Sequence, residues 1–147
     1  MEIKNKKAYF DYFVEESIEA GISLLGTEIK SLRVGNANIK DTFARIKNNE
    51  VFLTNMFISK YEEGNRFNHD ERRERKLLLH KAEILRLKSG VMEDGNTLIP
   101  LKLYFKKNKV KLLLGLCKGK KLYDKRASLK EKDLEMEKRK AFQNENH

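Results

Sequence analysis

Hydrophobic and polar residues alternate along much of the chain up to Cys117, the pattern of strands that turn one face to a core. Two runs show it best, Leu98–Phe105 and Val110–Leu116. In the first, Leu101, Leu103 and Phe105 share one face, with Lys102, Tyr104 and Lys106 on the other. In the second, Val110, Leu112, Leu114 and Leu116 face the core, and Lys111 points outward beside its partner's lysines. Lys107–Asn108 between them suits a tight hairpin turn, as does Asn48–Asn49 between Phe43–Lys47 and Val51–Ile58. Tyr9–Val14 and Ile18–Leu25 read as two further strands, separated by an acidic step at Glu15–Glu16. The period changes twice. Thr27 is placed to cap a helix over Glu28–Val34, with Ile29 and Leu32 inward and Gly35 as the stop. Lys81–Met92 aligns Ile84, Leu87 and Val91 on one stripe and ends near Asp94–Gly95. The pattern predicts a mainly β domain: a small closed or partly open antiparallel barrel of about six strands with two short flanking helices.

Two segments break the pattern. Residues 62–69 form a polar loop, too long for a hairpin and too polar for a core. Beyond Cys117 alternation stops and positive charge crowds together, so residues 118–147 read as a basic C-terminal tail on a domain of residues 1–117, with the hinge near Gly119. Ser128-Leu129-Lys130-Glu131 is a capping-box pattern that opens a helical stretch. Its apolar positions, Leu129, Leu134, Met136, Ala141 and Phe142, make no wide stripe, so the tail is expected to be flexible when free and helical against a partner.

Composition narrows the partner. The chain has 147 residues, with 32 Lys and Arg against 22 Asp and Glu, a net charge of +10. The excess is uneven: no acidic residue lies between Gly95 and Tyr123, a stretch holding Lys102, Lys106, Lys107, Lys109, Lys111, Lys118, Lys120 and Lys121. A positive face implies a polyanion, with nucleic acid ahead of an anionic membrane surface. The alternative is a solubilising coat of lysine. One Cys excludes a disulfide framework and fits a reducing cytoplasm, and no apolar run is long enough to span a membrane.

Enzymatic chemistry finds little support. The three His have no ligand spacing with one another or with Cys117, which reads as a buried inert thiol rather than a nucleophile. No phosphate-binding glycine loop, nucleophile elbow or dinucleotide fingerprint occurs, and no metal or cofactor is expected. Glu15 and Glu16 read as a solvated turn before a catalytic pair. Recognition chemistry fits better, because outward lysines bind phosphate and a sheet-borne aromatic can stack a base. Tyr104 and Phe67 suit either stacking or local packing. Leu77-Leu78-Leu79 reads as core, with room for one exposed leucine against an unstacked base.

Longer motifs add to this. Lys7-Ala8-Tyr9-Phe10-Asp11-Tyr12, Glu19-Ala20-Gly21 and Gly26-Thr27-Glu28-Ile29-Lys30-Ser31-Leu32-Arg33 occur in that order. Gly64-Asn65-Arg66-Phe67-Asn68-His69-Asp70, Arg75-Lys76-Leu77-Leu78-Leu79-His80, Lys118-Gly119-Lys120-Lys121 and Asp124-Lys125-Arg126 follow. Together they resemble the bacterial SsrA-binding proteins, also called small protein B, from about Asn5 into the tail. The resemblance implies an oligonucleotide-binding (OB) fold that acts as a monomer and binds the tRNA-like domain of transfer-messenger RNA (tmRNA). It further implies delivery of that RNA to stalled ribosomes, with the tail entering the empty mRNA path and decoding centre of the small subunit. By position, RNA contacts fall on Glu19, Leu78 and Lys111, with Lys30, Arg33, Arg75 and Lys76 as further basic members. Ribosomal contacts fall on Lys118, Gly119, Lys120, Lys121, Tyr123, Asp124, Lys125 and Arg126, and on Ala141 and Phe142 near the end. The tail departs from the commoner pattern by closing on Gln143-Asn144-Glu145-Asn146-His147 without a terminal basic cluster. A barrel-type RNA-processing enzyme and a structural ribosomal protein are the competing readings.

Overall fold

The computed structural model describes residues 1–62 and 68–120. In chain order it consists of β1 (Glu2–Lys4), α1 (Lys6–Asp11), β2 (Tyr12–Ile22), α2 (Gly26–Arg33), β3 (Ala37–Asn38), β4 (Phe43–Lys47), β5 (Glu50–Thr54), β6 (Phe57–Ile58), β7 (Arg75–Leu78), α3 (Lys81–Asp94), β8 (Thr97–Lys106) and β9 (Lys109–Gly119). Six strands form an antiparallel ring in the order β8, β4, β5, β7, β2, β9, closed by β8 against β9. β1 adds to β8 outside the ring, and β3 pairs with β6 as a separate ribbon. The mainly β, OB-like arrangement matches the pattern expected from sequence.

Both asparagine turns form as the sequence predicts: Asn48, Asn49, Lys107 and Asn108 all take positive φ, between 51° and 65°. α3 ends at Gly95, which adopts the left-handed conformation with φ 69°. Val110, Leu112, Leu114 and Leu116 point into the core with Leu53, Leu77 and Leu103.

Several expectations need correction. Among the described residues three helices flank the ring, not two. The segment expected as a strand from Tyr9 is helical to Asp11, because the Asn5 side chain caps α1 by accepting from the Ala8 N–H at 3.2 Å. Asn5 is itself fixed by donating to the Pro100 carbonyl at 2.9 Å, and Ala8 is buried. Glu15–Glu16 is no turn. β2 is one strand of 11 residues, and its register against β9 shifts between Val14 and Glu16, so Glu15 is absorbed as a bulge. α2 starts at Gly26 rather than after Thr27, whose hydroxyl lies 2.9 Å from the His69 ring. The run expected over Val51–Ile58 breaks at Asn55 (φ 71°) into β5 and β6. A second bulge, between Pro100 and Lys102, takes Leu101 out of phase with Leu103. Leu101 joins a smaller cluster with Ala8, Ile99 and Cys117, under α1. β9 carries strand pairing through Lys118 and Gly119, past Cys117.

α3 lies close on β9 because Gly90 has no side chain; a Cβ there would overlap Leu116. α2 is held differently. Arg75, the first residue of β7, is fully buried, and its five N–H groups all find acceptors. Nε donates to Glu28 at 2.5 Å, Nη1 to the Met56 and Arg73 carbonyls at 2.7 and 3.1 Å, and Nη2 to the Glu71 and Asp70 carbonyls at 3.2 and 3.5 Å. Glu28, also fully buried, accepts from Arg73 at 2.6 Å and from the Leu25 N–H at 2.8 Å. Burial alone would raise the Glu28 carboxyl, but Arg73, the Leu25 amide and Arg75 outweigh it and hold it below the usual range.

Glu28→Ala should therefore cost about 3–5 kcal/mol in urea unfolding, since it strands buried charge on Arg75. A carboxyl held low in the folded state stabilises above its unfolded value and ceases to do so as pH falls through its folded value. Wild-type stability should drop below about pH 4.5 more steeply than that of Glu28→Gln, as measured by thermal melts across pH.

Candidate nucleic-acid interface

Strand alternation and register bring distant residues to one outward face. Leu78 on β7 pairs with Gly21 on β2, Gly21 with Lys111 on β9, and Lys111 with Tyr104 on β8. Glu19 projects from the same face of β2, two residues before Gly21. Leu77 points inward and Leu78 outward, where it is 53% exposed, so the pattern reading of the triple leucine as core holds for Leu77 and fails for Leu78.

Gly21 leaves a concavity in this face. The groove measures about 350 Å³ and is lined by Gly21, Leu24, Ile29, Leu78, Asn108 and Lys111, among others. A Cβ at Gly21 would lie 3.2 Å from the Leu78 Cβ, so the glycine sets how flat Leu78 lies. Apolar floor, flanking ammonium groups and a neighbouring carboxylate suit an unstacked base with its phosphate.

Glu19 is exposed, and its carboxylate is partnered. It accepts a short hydrogen bond from the Tyr104 hydroxyl, and Lys106 Nζ lies 3.3 Å from Oε1. The Tyr104 hydrogen bond, with Lys106 and Lys111, keeps the Glu19 carboxyl below its ordinary value. Tyr104 pairs with Glu19 and with a cation: Lys102 Nζ sits 5.1 Å from its ring centroid.

The basic residues divide. Lys30 and Arg33 are exposed on α2, the helix that lends Ile29 to the groove, and lie over the Tyr61 and Phe105 rings at 5.5 and 5.4 Å. Lys76 is exposed on β7 and paired to Glu50. Arg75 is a correction: its side chain is sealed in the Glu28 cluster and presents nothing to a ligand. Lys118 pairs with Glu15 at 3.4 Å, and Lys120 donates to the Tyr9 carbonyl at 3.0 Å while lying 5.2 Å from the Phe13 ring. Lys121, Tyr123, Asp124, Lys125, Arg126, Ala141, Phe142 and Phe67 lie outside the described residues, as does the expected tail helix.

Sequence reasoning missed Gly21 as a groove-former, for which the Glu19-Ala20-Gly21 motif was the available signal. It also missed Glu28 and Arg73, whose partners are remote in sequence. Among the described residues no group of three or more His, Cys, Asp or Glu is placed to hold a metal ion, and no helix is long and apolar enough to cross a membrane. Burial pushes the Cys117 thiol up to about 11, so it stays protonated.

A ring of antiparallel strands with a basic, grooved outer face defines the class: a small OB-like domain suited to polyanions. The family profile described as SmpB protein matches residues 2–144. An SsrA-binding protein of Caldicellulosiruptor bescii is 61% identical over 136 residues, covering 92% of this chain and 86% of that one. One from Bacillus cereus is 58% identical over 139 residues, covering 95% and 90%. A solved chain described under "tmRNA-SmpB: a journey to the center of the bacterial ribosome" superposes with a TM-score of 0.69 at 48% identity, covering 81% of this chain and 84% of that chain. The chain belongs to the SmpB protein family.

Gly21→Val should fill the groove beside Leu78. Affinity for a single-stranded RNA probe is expected to fall roughly tenfold, the loss of about one stacked base, in a fluorescence-anisotropy titration.

Proposed function

We infer that this chain is an RNA-binding adaptor that holds the tRNA-like domain of tmRNA and delivers it to stalled ribosomes for trans-translation. The observation that carries the reading is the in-register row Leu78–Gly21–Lys111, with Glu19 on the same outward face. Relatives named for SsrA binding, at about 60% identity over most of the chain, support the RNA partner. The related chain in the tmRNA-SmpB structure supports the ribosomal setting.

Leu78 supplies an apolar surface for a base, Glu19 accepts from base amino groups, and Lys111 neutralises phosphate. Lys30, Arg33 and Lys76 extend the positive border. Arg75 serves the interface from inside, by holding β7 and α2 together. The ribosome-facing part begins at Lys118, Gly119 and Lys120 and continues into residues 121–147, with Tyr123, Asp124, Lys125 and Arg126 at the decoding centre and Ala141 and Phe142 further on. In this reading the protein works in the cytoplasm as one copy per RNA and catalyses nothing itself; bond-making belongs to the ribosome. The apolar groove bordered by Lys111, together with relatives named for SsrA binding, supports the adaptor reading.

Lys111→Ala should weaken binding to the tRNA-like domain and reduce the slope of log affinity against log salt by roughly one, as for one lost phosphate contact. An unchanged slope would remove Lys111 from the interface. Truncation after Arg126 should leave RNA affinity nearly intact while abolishing peptide tagging in a stalled-ribosome translation assay. Collapse of RNA affinity would instead make the tail part of the RNA grip.

A further inference from the structure

Tyr104 stands in the middle of the outward face but is not arranged as a stacking platform. Lys102 lies over its ring, and its hydroxyl is committed to Glu19. Burial and that hydrogen bond push the phenol up to about 12, so it remains a donor throughout the physiological range.

An ionised carboxylate offers about four acceptor positions on two oxygens. In Glu19, Tyr104 takes one on Oε2, and Lys106 Nζ lies 3.3 Å from Oε1 and 3.5 Å from Oε2. Oε2 is thus filled by two donors, and one position is left on Oε1, in a plane fixed from the β8 side. A free carboxylate acceptor matches a base amino group and cannot match a phosphate, which carries only acceptors at neutral pH.

We propose that Tyr104 is a positioning residue of the RNA interface: with Lys106 it fixes the Glu19 carboxylate so that the free position on Oε1 accepts from the amino group of an unpaired base. The proposal rests on the adaptor reading above and assigns Tyr104 a role that cross-strand packing alone would not give it. The charged surroundings of Glu19 are few. From β8 they are Tyr104 and Lys106, with Lys102 behind the ring; from β9, Lys111. On β1, Glu2 is occupied by Lys102 at 3.7 Å and Lys4 at 3.5 Å. Ser17 and Gly21 on β2 and Leu78 on β7 carry no charge.

The test uses the full chain, the tRNA-like domain of tmRNA, and the variants Tyr104→Phe, Glu19→Gln and their combination, each checked for folding by thermal melt. At pH 7 Tyr104→Phe should weaken binding roughly three- to tenfold, whereas on the Glu19→Gln background the same change should cost less than about twofold. The pH dependence has a defined sign. Wild-type Glu19 is held low and stays ionised further into acid, so binding by Tyr104→Phe should fail at higher pH than binding by wild type; the RNA's own titration is common to both. In the free protein, the Glu19 carboxyl followed by carbon-13 NMR should titrate at higher pH in Tyr104→Phe. Equal losses on both backgrounds, or acid limbs that superimpose, would make Tyr104 a packing residue and overturn the proposal. A wild-type chain that fails to prefer the tRNA-like domain over a duplex of equal length would overturn the adaptor reading and this proposal together. A preference kept by wild type and lowered by Lys111→Ala, with Tyr104→Phe unchanged, would overturn this proposal alone.

Discussion

The fold turns on a carboxylate and a guanidinium that have left water together. Glu28 and Arg75 come from α2 and β7, and each satisfies the other where no solvent reaches. The pair does more than balance charge. Glu28 also holds the amide of Leu25, just before α2, and Arg75 gathers carbonyls from Met56, Asp70, Glu71 and Arg73, all of which precede it along the chain. An apolar replacement could fill the same volume without collecting five acceptors. The cluster fixes where β7 begins, and so which of its residues look outward. Lys76 and Leu78 face solvent because Arg75 and Leu77 are committed to the interior.

From that commitment the outer face follows by strand geometry. A period of two on β7, β2, β9 and β8 puts Leu78, Gly21, Lys111 and Tyr104 in one cross-strand row. A one-residue slip of any of these strands would turn its contribution inward, so register against the core also specifies what the outer face presents. The bulges at Glu15 and Leu101 sit toward the other end of the long strands, where β2 and β8 pass beneath α1. They change phase there and leave the row near Lys111 undisturbed.

Much of this was legible from the sequence, for a physical reason. The asparagine turns and the core face of β9 are dictated locally, by backbone preference and alternation. The failures arise where distant partners override local preference. Tyr9–Val14 is rich in strand-forming residues, but a side-chain cap from Asn5 and burial of Ala8 wind its first half into a helix. Leu101 continues a perfect alternation and still leaves it, because the bulge is set by pairing with β9. Arg75 reads as a surface cation until Glu28, 47 positions away, is found to neutralise it. The same asymmetry holds on the outer face: Lys111 announces itself as outward by alternation, whereas the roles proposed for Leu78 and Glu19 come from motif resemblance, and the Tyr104–Glu19 bond is visible only in three dimensions.

β9 spans the distance between the groove and the point where the chain leaves the ring. It passes the groove at Lys111 and ends at Gly119, where Lys120 is tied to the Tyr9 carbonyl and covers the Phe13 ring. Eight residues of strand at about 3.3 Å each set those two points at most about 26 Å apart. Pairing to β2 and β8 on its two edges stiffens the strand over that span. The element therefore behaves as a ruler. Whatever seats at the groove and whatever meets the chain beyond Gly119 must be spaced to suit it, and lengthening β9 by two residues would preserve every face while moving one contact against the other.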